Sequence, residues 1–327
     1  MSRNAVVTGA GGFIGSHLVE RLLRDGWRVR ALIHYRGSPS WGWLEGMRDK
    51  GVSELEVVRG DITDPAQMRE LLAGQEVVFH LAALISVAYS FKAPRTFFET
   101  NGMGTVNLAE AAREQGVNRF VLMSSSEVYG SALQVPIGET HLLQAQSPYA
   151  ASKIAAEKVI ESYVRAFELS AVTVRAFNTF GPRQSARAIV PTIVAQALER
   201  DTIELGATHP VRDLTYVEDT VAGLVAAGEA GEGAAGKTLN LGRGEGISVG
   251  DLAGLICELL GRPCHVRTDQ ERVRPEGSEV DRLISDNRLA SEVLGWCPRV
   301  SLQDGLLRTI AWIRSNRDSF PTLEYQV

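Results

Sequence analysis

The sequence predicts a doubly wound α/β fold, a parallel sheet covered by helices on both faces, and three observations predict it. Short apolar runs alternate with helical patterns through the first half of the chain, and a glycine-rich turn joins the first run to the first helix. After about Gly181 the rhythm breaks into proline-punctuated and glycine-rich stretches. Parallel neighbours need crossover connections, so strand–helix alternation implies a parallel sheet.

In order, the strand-like runs are NAVVTGA (4–10), RVRALI (28–33), LEVVRG (55–60), VVFHLAA (77–83), RFVLMSS (119–125) and SAVTVRAF (170–177). Helical patterns follow the first five at 14–25, 42–50, 65–73, 94–116 and 148–168. Shorter helices are expected at 190–200, 217–229, 249–260 and 302–315. The expected division is a dinucleotide-binding domain over 1–180, with returning segments at about 213–242 and 282–298. The segments 181–212, 243–281 and 299–327 mainly build a smaller α/β C-terminal lobe.

At 327 residues, with 44% hydrophobic and 22% charged residues, the chain suits one large domain and a smaller partner, at roughly 100–200 residues each. A net charge of −5, without a run of Lys or Arg, argues against nucleic acid as a partner. Cys257, Cys264 and Cys297 have no CxxC spacing and no His/Cys cluster beside them, so neither a metal nor a disulfide framework is expected. Without a signal-like start or an apolar run of about 18 residues, no membrane association is expected and a cytoplasmic location is inferred.

The turn VVTGAGGFIGSHLVERLL spaces Gly9, Gly12 and Gly15 as GxxGxxG between strand and helix. Glycine permits positive φ and close approach of the backbone, while a helix N-terminus offers unpaired N–H groups to a pyrophosphate. An acidic residue normally ends the second strand and holds the adenosine ribose. Ile33 stands there instead, followed by His34, Tyr35 and Arg36. The missing carboxylate and the added Arg36 slightly favour NADP over NAD.

SPYAASKIAAEK sets Tyr149 and Lys153 four residues apart on one helix face. A nearby ammonium favours the tyrosinate and makes the phenol a usable base. Ser124, Ser125, Ser126 and Glu127 emerge at the carboxyl edge of the sheet, where ligands of such folds bind. His80 is expected to be a strand-end structural residue. Trp41 and Trp43 either cap the adenosine side or pack the turn. Ala156, Ile160, Tyr163 and Phe167 form a packing stripe.

TGAGGFIG, GDITD, HLAA, TNGMGTVNLAEAA, SSSEVYG, YAASK, RAFNTFGPRQ, RDLTYVEDT, RPEGSEV and LGWCP follow one another nearly end to end. In this the sequence resembles the extended short-chain dehydrogenase/reductases acting on nucleotide sugars, the NAD(P)-dependent epimerase/dehydratase family. The resemblance implies a Rossmann sheet of about seven strands and a C-terminal lobe that grips a nucleoside-diphosphate sugar. It implies Ser125, Tyr149 and Lys153 as the triad. The cofactor would lie along Gly9, Gly12, Phe13, Ile14, Gly15, His34, Arg36, Asp61, Ile62, Leu81, Ala82 and Ala83, with Tyr149 and Lys153. For the substrate it implies Ser86, Ser126, Asn178, Arg187 and Val190, with Arg212 and Arg274 neutralising the diphosphate. RPEG departs from the family's commoner RPGD at Arg274. A homodimer, paired through the Tyr149 helix and the helix near 101–116, is also implied.

The reaction turns on Glu127. In 4,6-dehydratases a Glu there resembles the base that removes the C5 proton once C4 is oxidised. Their usual triplet is Thr-Asp-Glu; here it is Ser125-Ser126-Glu127, so either Glu127 carries the proton from C5 to O6 itself or the reaction is a different one. RQSARAIVPTI and SWGWLE are most similar to dehydratases of the legionaminic-acid type, which act on N-acetylhexosamine nucleotides. A 4,6-dehydratase is therefore the favoured reading, a 4-epimerase the first alternative and a UDP-glucuronate decarboxylase the second. A non-catalytic dinucleotide-binding module is the alternative of a different class, and retention of the triad argues against it. The nucleoside base is left open.

Overall fold

The computed structural model describes residues 3–35, 40–48, 50–272 and 277–317. Along the chain the strands are β1 (Asn4–Thr8), β2 (Arg28–His34), β3 (Leu55–Gly60), β4 (Val77–His80), β5 (Arg119–Ser125), β6 (Ala171–Ala176), β7 (Asn178–Phe180), β8 (Thr202–Leu205), β9 (Val211–Arg212), β10 (Leu214–Tyr216), β11 (Thr238–Leu241), β12 (Ile247–Ser248), β13 (His265–Thr268) and β14 (Arg282–Leu283). The helices are α1 (Phe13–Arg24), α2 (Glu45–Arg48), α3 (Pro65–Leu72), α4 (Val87–Lys92), α5 (Pro94–Phe97), α6 (Gly104–Gln115), α7 (Pro148–Phe167), α8 (Ile189–Glu199), α9 (Val217–Glu229), α10 (Val249–Leu260), α11 (Arg288–Leu294) and α12 (Leu302–Ser315).

Seven strands form one parallel sheet in the order β11-β6-β5-β4-β1-β2-β3. This is the doubly wound Rossmann sheet the sequence predicts, and its order reverses between β1 and β4. Side chains alternate across it with period two. On β1, Ala5 and Val7 join the core under α1 and α9, while Val6 joins the core under α3, α6 and α7. On β5, Val121 goes to the first layer, and Phe120 and Leu122 go to the second. Each face therefore has its own apolar filling, and the helices bury one stripe each.

The expected long helix over 94–116 is divided. α5 runs into a π-helical stretch, Phe98–Met103, before α6 begins. α4 was not predicted. Gly104 explains how α6 comes so close to the sheet edge: a Cβ there would lie 2.5 Å from Ile62 Cδ1. The second half of the chain adds small sheets, β10 with β7, β13 with β8, and β12-β9-β14, packed with α8, α10 and α12. A third apolar cluster, including Tyr129, Phe177 and Leu283, joins these to the carboxyl edge of the main sheet.

Candidate active site

β1 opens into Gly9 at φ +71°, and a Cβ there would fall 2.9 Å from the Ala82 nitrogen. A Cβ at Gly15 would collide with the Gly9 carbonyl oxygen. Both positions need glycine, because the turn is pressed between α1 and the end of β4. Gly12 begins α1 with no side-chain cap and no acidic residue in the first turn, which leaves its N–H groups as donors. Phe13 and Ile14 are half-buried against the core, as are Leu81 beside them and Ala82 on the opposite layer. Ala83 is half-buried at the same strand end. An uncapped helix start over a cradle that side chains would fill fits a dinucleotide pyrophosphate.

The tryptophan segment packs the turn: Trp43 N–H donates to Gly11 O at 3.1 Å, and the Trp43 ring meets Trp312 edge-on at 5.3 Å. Ile33 is 5% exposed and faces Gly11, so no carboxylate ends β2. His34 is exposed, 3.7 Å from Asp61 Oδ2. Asp61 Oδ1 accepts the Thr63 N–H at 2.9 Å and its hydroxyl at 2.8 Å. Arg36 lies outside the described residues. The Ile62 side chain is 4% exposed beneath α6, and its carbonyl accepts from Asn107 at 3.0 Å.

His80 locks the ends of β1 and β4. Thr105 spends its hydroxyl hydrogen on Asn101 O at 2.6 Å, so its oxygen accepts from His80 Nε2 at 3.1 Å. His80 Nδ1 is then the acceptor of the Thr8 hydroxyl at 2.9 Å. The Thr8 oxygen in turn accepts the Leu81 and Ala82 N–H groups at 3.1 and 3.0 Å. This neutral imidazole agrees with its basicity, which burial, followed by the Lys153 charge, pulls down to about 3.

At the end of β5, Ser125 caps a short 3₁₀ turn, Ser126–Tyr129, its Oγ accepting the Glu127 N–H at 3.2 Å. The first turn of α7, capped by Ser147, carries Tyr149, and Tyr149 shares a hydrogen bond with Ser125. Ser125 and the Glu127 charge therefore both act on Tyr149. Tyr149 is 7% exposed and Lys153 is 5% exposed. The tyrosinate expected from the nearby ammonium is not favoured here: burial pushes Tyr149 up to about 12, the Ser125 bond opposes this, and the Glu127 charge adds to it. Lys153 instead donates to Met123 O at 2.7 Å, one turn along. Burial pulls Lys153 down to about 8, against the Glu157 charge. The sequence shows the helical spacing but not this burial.

Asn101 was missed. It sits in the π-helical stretch, accepts the Leu84 N–H at 2.8 Å, and donates to Leu84 O at 3.0 Å and Ser152 Oγ at 2.8 Å. It ties the β4 loop to the catalytic helix, and π-helical insertions recur at functional sites. Its signal was a polar residue flanked by glycine in an otherwise helical stretch. Phe97, wholly buried and edge-on to Tyr149 at 6.3 Å, was missed as well.

On the substrate side, Asn178 begins β7 with a buried Oδ1 that has no partner among the described residues. Ser86 caps α4, accepting the Tyr89 N–H at 3.2 Å, and Ser126 is 3% exposed. Arg187 is exposed. Val190 stands in the first turn of α8 with its side chain 0% exposed in the core stripe of that helix. Arg212 is buried and pairs with Glu279 at 3.2 Å. Arg274 lies outside the described residues. Among the described residues no His/Cys/Asp/Glu cluster could hold a metal, and no helix is long and apolar enough to cross a membrane.

Residues 6–309 match the family described as GDP-mannose 4,6 dehydratase. The chain is 38% identical over 318 residues to the UDP-glucose 4-epimerase of Mycolicibacterium smegmatis, covering 95% of this chain and 98% of that one. It is 34% identical to the dTDP-glucose 4,6-dehydratase of Streptomyces griseus, covering 97% and 96%. Among solved structures it is similar to DesIV, a dTDP-glucose 4,6-dehydratase from Streptomyces venezuelae with NAD and TYD bound. The TM-score is 0.89 at 32% identity, covering 98% and 100%.

Proposed function

The chain belongs to the GDP-mannose 4,6 dehydratase family of the extended short-chain dehydrogenase/reductases, and from that premise we propose that it is a nucleotide-sugar 4,6-dehydratase. The observation that carries the choice is Glu127, on the same four-residue turn as the Ser125 cap, with its charge acting on Tyr149. A carboxylate beside the triad is what elimination requires and simple C4 inversion does not.

Gly9, the open start of α1, Asp61, the 81–83 strand end, Tyr149 and Lys153 would hold the dinucleotide. When bound, the nicotinamide supplies the oxidising and reducing power of the cycle and ends it unchanged. Tyr149 takes the O4 proton with Ser125 as its hydrogen-bond partner, leaving a 4-keto sugar. Lys153 supplies the positive charge that a phenol held near 12 needs in order to act as a base. Glu127 then removes the C5 proton, made acidic by the ketone, and delivers it to the C6 hydroxyl, which leaves as water; return of the C4 hydride to C6 and of a solvent proton to C5 completes the 4-keto-6-deoxy sugar. Ser126, buried and without an acidic proton, leaves both tasks to Glu127. Asn178 and Arg212 would hold the diphosphate.

The first alternative, a 4-epimerase, is favoured by the serine at 126 and by the 38% identity to a UDP-glucose 4-epimerase. Incubation with dTDP-glucose, UDP-glucose, UDP-N-acetylglucosamine and GDP-mannose, followed by NMR, decides between them. A C6 methyl doublet beside a C4 ketone is expected; a changed configuration at C4 alone refutes dehydration.

The reading extends to the cofactor and to assembly. Ile33 at the end of β2 supports acceptance of NADP at least as readily as NAD. Exposed Phe98, Met103 and Phe167 on the α6 and α7 side support a homodimer, which light scattering tests.

A further inference from the structure

Behind the triad lies a buried charged cluster that the reaction as described does not use. Glu157 follows Lys153 by one turn on α7, and Arg175 lies on β6; each side chain is 6% exposed. Arg175 forks onto Glu157, Nε to Oε1 at 3.0 Å and Nη2 to Oε2 at 2.6 Å. Glu157 Oε1 also accepts the Ser124 hydroxyl at 2.5 Å. The remaining Arg175 amino group, Nη1, donates to the Tyr129 hydroxyl at 2.9 Å and to Glu139 O at 3.1 Å. Tyr129, wholly buried, passes its own proton to Asn240 Oδ1 at 2.7 Å.

One guanidinium–carboxylate pair therefore holds both ends of the segment 124–129. Ser124 fixes the end next to Ser125, and Tyr129 fixes the end two residues past Glu127. A buried ion pair is weak evidence for stability, and its best-attested use is to set registry. A base must be held to within a fraction of an ångström by side chains that are themselves locked. Glu127 lies between the two anchors, its N–H held by Ser125 Oγ at 3.2 Å and its carbonyl accepting the Gly130 N–H at 3.3 Å beside Tyr129.

We propose that Tyr129 and Arg175 are positioning residues for Glu127, which aim its carboxylate at the C5 proton without setting the rate of C4 oxidation. This rests on the dehydratase reading above. Removing either charged partner would strand the other, so the informative variant is Tyr129→Phe, with Ser124→Ala as the contrast at the opposite end.

Purified full-length protein with NAD is offered the same four nucleotide sugars. Single-turnover formation of reduced nicotinamide reads oxidation; deuterium uptake at C5 from heavy water and C6-deoxy product read Glu127. In Tyr129→Phe, oxidation is expected to stay within about twofold of wild type, while C5 exchange and deoxy product fall about tenfold or more. In Ser124→Ala, oxidation itself is expected to slow. Tyr129→Phe losing both steps alike or neither, or both variants showing one pattern, overturns the proposal alone. If Tyr129→Phe does not fold, judged by its thermal midpoint, Arg175→Lys, which keeps the charge and loses the fork, takes its place: C5 exchange and deoxy product that fall no more than oxidation there overturn the proposal. Wild-type protein that only inverts C4 overturns the dehydratase reading itself.

Discussion

Arg212 and Glu279, 67 residues apart in the chain, form an ion pair of 3.2 Å with the arginine side chain 9% exposed. Arg212 Nη1 also donates to Val211 O at 3.1 Å. A diphosphate approaching this guanidinium must share it with a carboxylate of its own charge. Glu279→Gln keeps the shape and removes that charge. The Kd for UDP or dTDP is expected to fall about three- to tenfold, or about 0.7–1.4 kcal/mol, by titration calorimetry. Weaker binding would mean instead that Glu279 orients the arginine for its ligand.

Tyr149→Phe removes the hydroxyl shared with Ser125 and leaves the ring packed on Phe97. Turnover is expected to fall about a hundred- to ten-thousandfold, the usual contribution of a positioned acid–base group. Cofactor affinity, measured by the quenching of tryptophan fluorescence, should fall far less than turnover, because Tyr149 is one of several residues along the cofactor. Full turnover in the variant would move the base elsewhere.

Acid sensitivity follows from His80. Its folded-state value of about 3 lies below the ordinary 6.5, so between those pH values the unfolded chain binds a proton that the folded chain refuses. Stability therefore rises with pH through this window and is lost as pH falls below 6.5. The loss reaches about 1.4 kcal/mol one unit below, and nothing is lost above neutrality. His17, also lowered by burial, acts in the same direction, so the comparison is between variant and wild type. His80→Gln, which can still donate to Thr105 and accept from Thr8, should show a shallower decline in thermal midpoint from about pH 7 to about pH 5. Parallel declines would contradict the buried neutral tautomer.

The parallel sheet and the placing of Tyr149 and Lys153 on one helix were legible because their signals are local and periodic. Strand runs bounded by glycine, and Tyr149 and Lys153 one turn apart, need no tertiary information. The tie from Asn101 to Ser152, the pair Arg212–Glu279 and the two-residue strands β9, β12 and β14 are set by segments far apart in sequence, and no window shows them. The basicity of Tyr149 was misjudged for the same reason, since burial is a property of the whole fold. The α8 stripe of Val190, Ile193, Val194 and Ala197, all 0% exposed, is by contrast readable from helical spacing alone.

Ile33 gives the sharpest test of the cofactor site. In this fold a carboxylate ending β2 accepts the ribose hydroxyls and repels a 2′-phosphate. Here that position is apolar, 5% exposed and pressed on Gly11, and His34 beside it is exposed near Asp61. NADP should therefore bind as tightly as NAD or more tightly, in side-by-side calorimetry at one salt concentration. Ile33→Asp should weaken NADP by about tenfold and strengthen NAD, because it restores both the acceptor and the repulsion. His34→Ala, which removes a polar group exposed at the end of β2, should weaken NADP and leave NAD unchanged. Tighter binding of NAD by the wild-type protein would show that Asp61, or another group near the ribose, replaces the missing carboxylate.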